Sequence, residues 1–242
     1  MSDYRGYPQS GTQTTGVDLG LRSYMLKVYN YMAGGLALTG VAALVTYNLA
    51  VQNGALTPLG QTLFHGPMLW VLMLAPIALV FWLSFGIQRM SVGTAQLVFW
   101  AYAALVGIGF TPLALVYTGG SLVQAFMVTA AAFAGLSLYG YTTKRDLSGF
   151  GAFLFMGLIG LILASVVNIF IGSSAVSFAL SVISVLVFTG LTAWDTQKIK
   201  EMYSAHDDGT VAGRKAVMGA LALYLDFINL FLMLLRLFGG RR

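Results

Sequence analysis

Seven long apolar runs, at about 28–51, 68–87, 94–117, 121–142, 150–171, 176–196 and 216–238, take up most of this chain. Each is close to the roughly 20 residues with which an α-helix crosses the hydrocarbon core of a bilayer. The connections are short and carry breakers: Gly54 and Pro58, Ser91 and Gly93, Gly119 and Gly120, Gly149 and Gly151, Gly172 and Ser173. Pro76 and Pro112 fall inside or near the end of a run, where neighbouring helices can satisfy the carbonyls that proline frees. The pattern predicts an all-α polytopic membrane protein with seven transmembrane helices. Residues 1–24 are polar and without apolar period, which reads as a disordered tail ahead of a single transmembrane unit over 25–242. No cleavable signal peptide is expected, because the first apolar run starts late and is long enough to span.

Composition supports this reading. Hydrophobic residues make up 58% of the chain and charged residues 9%, with a mean hydropathy of +0.81. Ordinary soluble domains carry about 25% charged residues, so a soluble fold could not cover this much apolar surface. The absence of cysteine excludes disulfides, thiolate metal sites and a cysteine nucleophile. A net charge of +5 raises the question of nucleic acid, but the basic residues lie in connections that orient a membrane protein. Arg5, Arg22 and Lys27 precede the first run, Arg89 follows the second, Lys144 and Arg145 follow the fourth, and Lys198, Lys200, Arg214 and Lys215 follow the sixth. The alternate connections have none. The bias predicts a cytoplasmic N-terminus and suits a bacterial inner membrane. Arg236, Arg241 and Arg242 break it: a full crossing by the last run takes them outside, whereas a re-entrant segment keeps them inside. The length of the run favours a crossing.

The polar residues inside the runs carry the candidate chemistry. Gly157, Gly160, Ala164 and Ser165 form a small-residue face on the fifth run, which predicts close helix approach. Ser177, Ser181, Ser184, Thr192 and Asp195 give the sixth run a polar stripe, and Asp226 and Asn229 share a face of the seventh. A charge at membrane depth costs about 2.5–3.5 kcal/mol on insertion scales, so it needs a partner, a hydrated cavity or a task. Antiparallel neighbours could bring Asp195 and Asp226 together. Two carboxylates that close do not both ionise easily, so they would titrate in two steps and trade a proton. Ionised, they offer hard oxygens of the kind calcium prefers, with the Asn229 carbonyl beside them, although two carboxylates are only part of a shell of about six to eight. The competing reading is that each Asp is neutralised by an arginine or by helix ends and only fixes packing.

The segments LTAWDTQKIKEMY (191–203) and ALALYLDFINLFLMLLRLFG (220–239) resemble the paired signature of the Bax inhibitor-1 family. The resemblance covers nearly the whole chain after residue 20. It implies a seven-helix fold with the last helix central, and a pH-sensitive calcium leak or channel in which Asp195 and Asp226 form the proton-sensing dyad. It also implies a basic latch from the second helix, for which FWLSFGIQRM offers only Arg89. The partners so implied are lipid, calcium and protons, and, because some relatives act as regulators, a membrane protease.

Other function classes fit less well. Intramembrane aspartyl proteases also use two aspartates as an acid-base pair, but neither Asp195 nor Asp226 has a Gly-x-Gly-Asp context. His206, Asp207 and Asp208 lack the repeated spacing of a metal site, and His65 beside Gly66 and Pro67 suits a turn. There is no Walker loop, Rossmann fingerprint or hydrolase elbow.

Overall fold

The computed structural model describes residues 18–241. The first 17 residues, which hold most of the expected tail, lie outside the described residues. Helix α1 (Leu19–Ala50) begins ahead of the expected boundary at residue 24, because the Asp18 carboxylate accepts the free amides of Gly20 and Leu21 at 2.9 and 3.0 Å. Such a cap is worth about 1 kcal/mol. After α1 the chain forms a tight hairpin of β1 (Val51–Gln52) and β2 (Ala55–Leu56), then the short helix α2 (Pro58–Phe64). Asn53 and Gly54 both have positive φ, as a two-residue Asn-Gly turn requires.

Helix α3 (Pro67–Gly86) runs through Pro76 and ends in a 3-10 turn, Ile87–Arg89. Helix α4 (Val92–Phe110) is capped by Ser91. It breaks at Thr111–Pro112, and a single further turn, α5 (Leu113–Val116), completes the third span. Thr118 caps α6 (Gly119–Thr142) and Ser173 caps α8 (Ser174–Glu201). Between them α7 (Ser148–Ile171) stops at Gly172, whose φ of 69° places it in the left-handed region that ends helices. Asp208 caps α9 (Gly209–Phe238) through the amides of Thr210 and Val211.

Seven helices are long and apolar enough to span a bilayer. Helix α9 is the central one. In its most apolar stretch 61% of residues are buried, and in no other spanning helix more than 33%. Helices α1, α4, α6 and α8 pack around it, α3 packs against α4, and α7 packs against α8. Tyr224 of α9 anchors the middle: its hydroxyl lies 2.6 Å from that of Thr39, which donates to the backbone carbonyls of Gly35 or Ala103. Phe99 and Tyr102 of α4 meet the Tyr224 ring edge to face. Large apolar side chains on the outer faces, such as Trp70, Trp82, Phe153 and Phe170, remain exposed, as a lipid-facing surface demands.

The small-residue face expected on α7 does not make the close contact. A Cβ on Gly160 would meet nothing within 4 Å, and one on Gly157 would meet only Val187 at 3.7 Å. Close approach occurs nearer the end of the helix, where Gly151 lies under the Trp194 ring and Gly190 of α8 faces Leu154 and Phe150. The reason is the position of α7 at the rim of the bundle, packed chiefly on α8.

The chain end settles the course of α9. Thr118 N–H donates to the Gly240 carbonyl at 3.1 Å, Gly240 N–H donates to Ser121 at 2.9 Å, and Arg241 bridges to Tyr117. These contacts lie at the start of α6, the end of the bundle opposite the α8–α9 connection. The last helix therefore runs the length of the bundle, as a full crossing requires and a re-entrant segment does not.

Candidate functional site

Helices α7, α8 and α9 line an open cavity of about 610 Å³. Leu158, Leu161, Phe188, Leu191 and Leu225 make most of its wall apolar. Into this wall the sequence sets a short series of polar side chains: Lys198 and Asp195 from α8, Asp226 and Asn229 from α9, and further along Ser184 and Ser165. Helical spacing explains the order. Asp195 and Lys198 are three residues apart on α8, as are Asp226 and Asn229 on α9, so each pair shares a face. The antiparallel α8–α9 hairpin then stacks the two faces across the cavity.

The aspartates meet, as their stripe positions predicted. Asp226 is 4% exposed, Asp195 is half-buried, and their carboxyl groups come within hydrogen-bonding range of each other. The Asp226 Oδ2 atom is buried and no donor reaches it. Two carboxylates cannot hydrogen-bond to one another unless one carries a proton, so the geometry has a place for a shared proton or for a cation. Asn229 donates its Nδ2 to the Leu225 carbonyl at 2.8 Å, which leaves its side-chain oxygen as the group it can offer to the cavity.

Arg89 does not join them. It is exposed on the 3-10 turn that follows α3, lines no part of the cavity, and forms no ion pair among the described residues. Helix α3 packs against α4, and the turn after it reaches α9 only near its start, where Arg214 donates to the Met90 carbonyl at 2.7 Å. The basic residue at the cavity is instead Lys198, whose ammonium also sits 4.8 Å from the centroid of the Trp194 ring. Its signal was present in the sequence, three residues after Asp195, but it resembled any other cation at the end of a span.

Two further roles fall to the same stretch of α8. The Gln197 side chain accepts from Leu147 N–H and donates to the Arg145 carbonyl, both at 2.8 Å, and so clasps the α6–α7 connection. Thr196 joins a hydroxyl chain, 2.9 Å to Ser137 of α6 and from there 2.6 Å to Tyr29 of α1. One helical turn thus presents its acid to the cavity, its amide to the connection and its hydroxyl to the other half of the bundle. The acidic residues of the α8–α9 connection have separate work: Asp207 pairs with Lys215 at 2.5 Å and Asp208 caps α9. His65 is exposed at the end of α2.

The two signature segments are therefore the two walls that carry the acids. A sequence model described as Inhibitor of apoptosis-promoting Bax1 matches residues 21–242. The chain belongs to the Bax inhibitor-1 family. Among its relatives, RP147 of Rickettsia prowazekii is 47% identical over 242 residues, covering 100% of both chains. The inner membrane protein YbhL of Escherichia coli K12 is 47% identical over 226 residues, covering 92% of this chain and 94% of its own. The membrane protein SpyM3_0260 of Streptococcus pyogenes is 39% identical over 244 residues, covering 99% of both. This Bax inhibitor-1 family member is an integral membrane protein, as its seven spanning helices require.

Proposed function

We propose that this protein is a proton-regulated passive pathway for cations, with calcium as the permeant ion, in a bacterial inner membrane. The observation that carries the reading is the meeting of Asp195 and Asp226 in a cavity between three helices, with one buried carboxyl oxygen left without a donor. The oxygens there are hard donors suited to calcium, two carboxyls with the Asn229 carbonyl close by. No group of three or more His, Asp or Glu side chains assembles among the described residues, so water must complete the shell of a passing ion. Such an incomplete shell favours passage over tight binding. The location follows from likeness to YbhL, whose name places it in the inner membrane.

Regulation follows from charge. While Asp195 is ionised it attracts Lys198, one turn further along the same helix, and holds that ammonium at the cavity; a proton on the pair removes the attraction and releases the Lys198 side chain. Asp146, in the α6–α7 connection, is no rival sensor near neutral pH. Hydrogen bonds from the Ser148 side chain and backbone hold its carboxyl below the usual carboxylate range.

Calcium entry into proteoliposomes, followed against pH, tests the reading. The wild-type protein is expected to show pH-dependent flux and the double variant Asp195→Asn, Asp226→Asn to lose that dependence. A response unchanged in the double variant would overturn the assignment. A preparation that is inactive until a membrane protease is added would favour the regulatory alternative.

A further inference from the structure

A second cavity, of about 700 Å³, opens between α1 and α6 on the outer face of the bundle. Helices α1 and α6 both pack against α9 but chiefly not against each other, which leaves a groove between them. Its walls are apolar: Met25 and Met32 from α1, Phe133 and Leu138 from α6. At its floor the Tyr29 and Ser137 hydroxyls are 2.6 Å apart, and at its mouth stands Arg22, exposed in the first turn of α1. Arg22 forms no salt bridge with any described carboxylate.

We propose that this groove is a binding site for an anionic phospholipid, one acyl chain lying between α1 and α6 and the phosphate at Arg22. Three observations select that occupant. In a bilayer, a cleft with these walls excludes water, because its surface gives water few hydrogen-bond partners, and hydrocarbon fills it. From Arg22 to Ala33 the groove runs about 16 Å at 1.5 Å per residue, from ahead of the first apolar run into it, so it starts at headgroup level and enters the hydrocarbon. The guanidinium at the mouth matches a phosphate in charge and in its forked donor geometry. The floor hydroxyls continue to Thr196 at 2.9 Å from Ser137, so the lipid would rest on a hydroxyl chain that ends next to Asp195.

Native mass spectrometry of the whole protein, incubated with equal amounts of phosphatidylglycerol and phosphatidylcholine bearing identical acyl chains, tests this. The wild-type protein is expected to retain phosphatidylglycerol preferentially. Arg22→Gln should reduce that preference about fivefold, the size expected of one basic side chain against an anionic lipid. Ala134→Trp, which fills the groove, should lower retention of both lipids. Equal retention of the two lipids by the wild-type protein, or an unchanged preference in Arg22→Gln, would overturn the proposal. Neither variant touches the aspartate pair, so the calcium experiment stands or falls separately.

Discussion

Gln197 shows how much one buried amide can decide. It is 4% exposed and supplies both a donor and an acceptor to a connection that has no secondary structure of its own. Gln197→Ala would remove both hydrogen bonds to the connection, at a net cost of about 0.5–1.5 kcal/mol each. The expected result is a lower thermal unfolding midpoint, with faster amide exchange across residues 143–148. Asp226 should behave in the opposite sense. Its Oδ2 is buried without a donor, so Asp226→Leu removes an unsatisfied polar atom and should hold or raise the unfolding midpoint while the pH response of flux disappears. A fall in the midpoint would mean that the carboxyl supports the fold. The aspartates were legible in the sequence because an acid among apolar residues is costly enough to stand out. Lys198 was not, since a cation at the end of a span is ordinary there, and Arg89 misled because spacing along a helix does not reveal which helices are neighbours.

Among elements, close packing is set by a few glycines that the sequence does not distinguish from the rest. Gly140 of α6 faces the backbone of α8, and a Cβ there would come within 2.1 Å of the Ala193 carbonyl oxygen. A backbone atom cannot swing aside, so Gly140→Ala should push α6 from α8 and cost about 1–3 kcal/mol, read as a lower unfolding midpoint. Gly160→Ala should do the reverse. Nothing lies within 4 Å of the new methyl, and alanine favours the helix by about 1 kcal/mol over glycine. The seven spans were readable because each is long, apolar and bounded by breakers. The small-residue face of α7 resembles a packing surface in the sequence because composition shows what a face permits and not whether a partner lies against it. The β1–β2 hairpin has a strong local signal in its Asn53-Gly54 turn, but its two-residue strands carry too little period to stand out in the sequence.

For the whole molecule, the odd number of crossings fixes a relation between the two chain ends that the charge pattern alone leaves contested. Helices α1, α6–α7 and α8–α9 put residues such as Ser23, Lys144 and Asp208 at one end of the bundle, while the hairpin at Asn53 belongs to the other. Arg241 joins the latter group, because residues 239–241 fold back onto Tyr117, Thr118 and Ser121. Its charge runs against the positive-inside bias, and the bridge to Tyr117 and the length of α9 are what outweigh it. The natural absence of cysteine makes the test direct, as any introduced thiol is the sole reactive one. With a membrane-impermeant maleimide applied to oriented vesicles, Ser23→Cys and Lys144→Cys should label from one side, and Asn53→Cys and Arg241→Cys from the other. Labelling of Arg241→Cys together with Ser23→Cys would mean that α9 turns back within the bilayer, and the antiparallel stacking that brings Asp226 to Asp195 would then have to be abandoned with it.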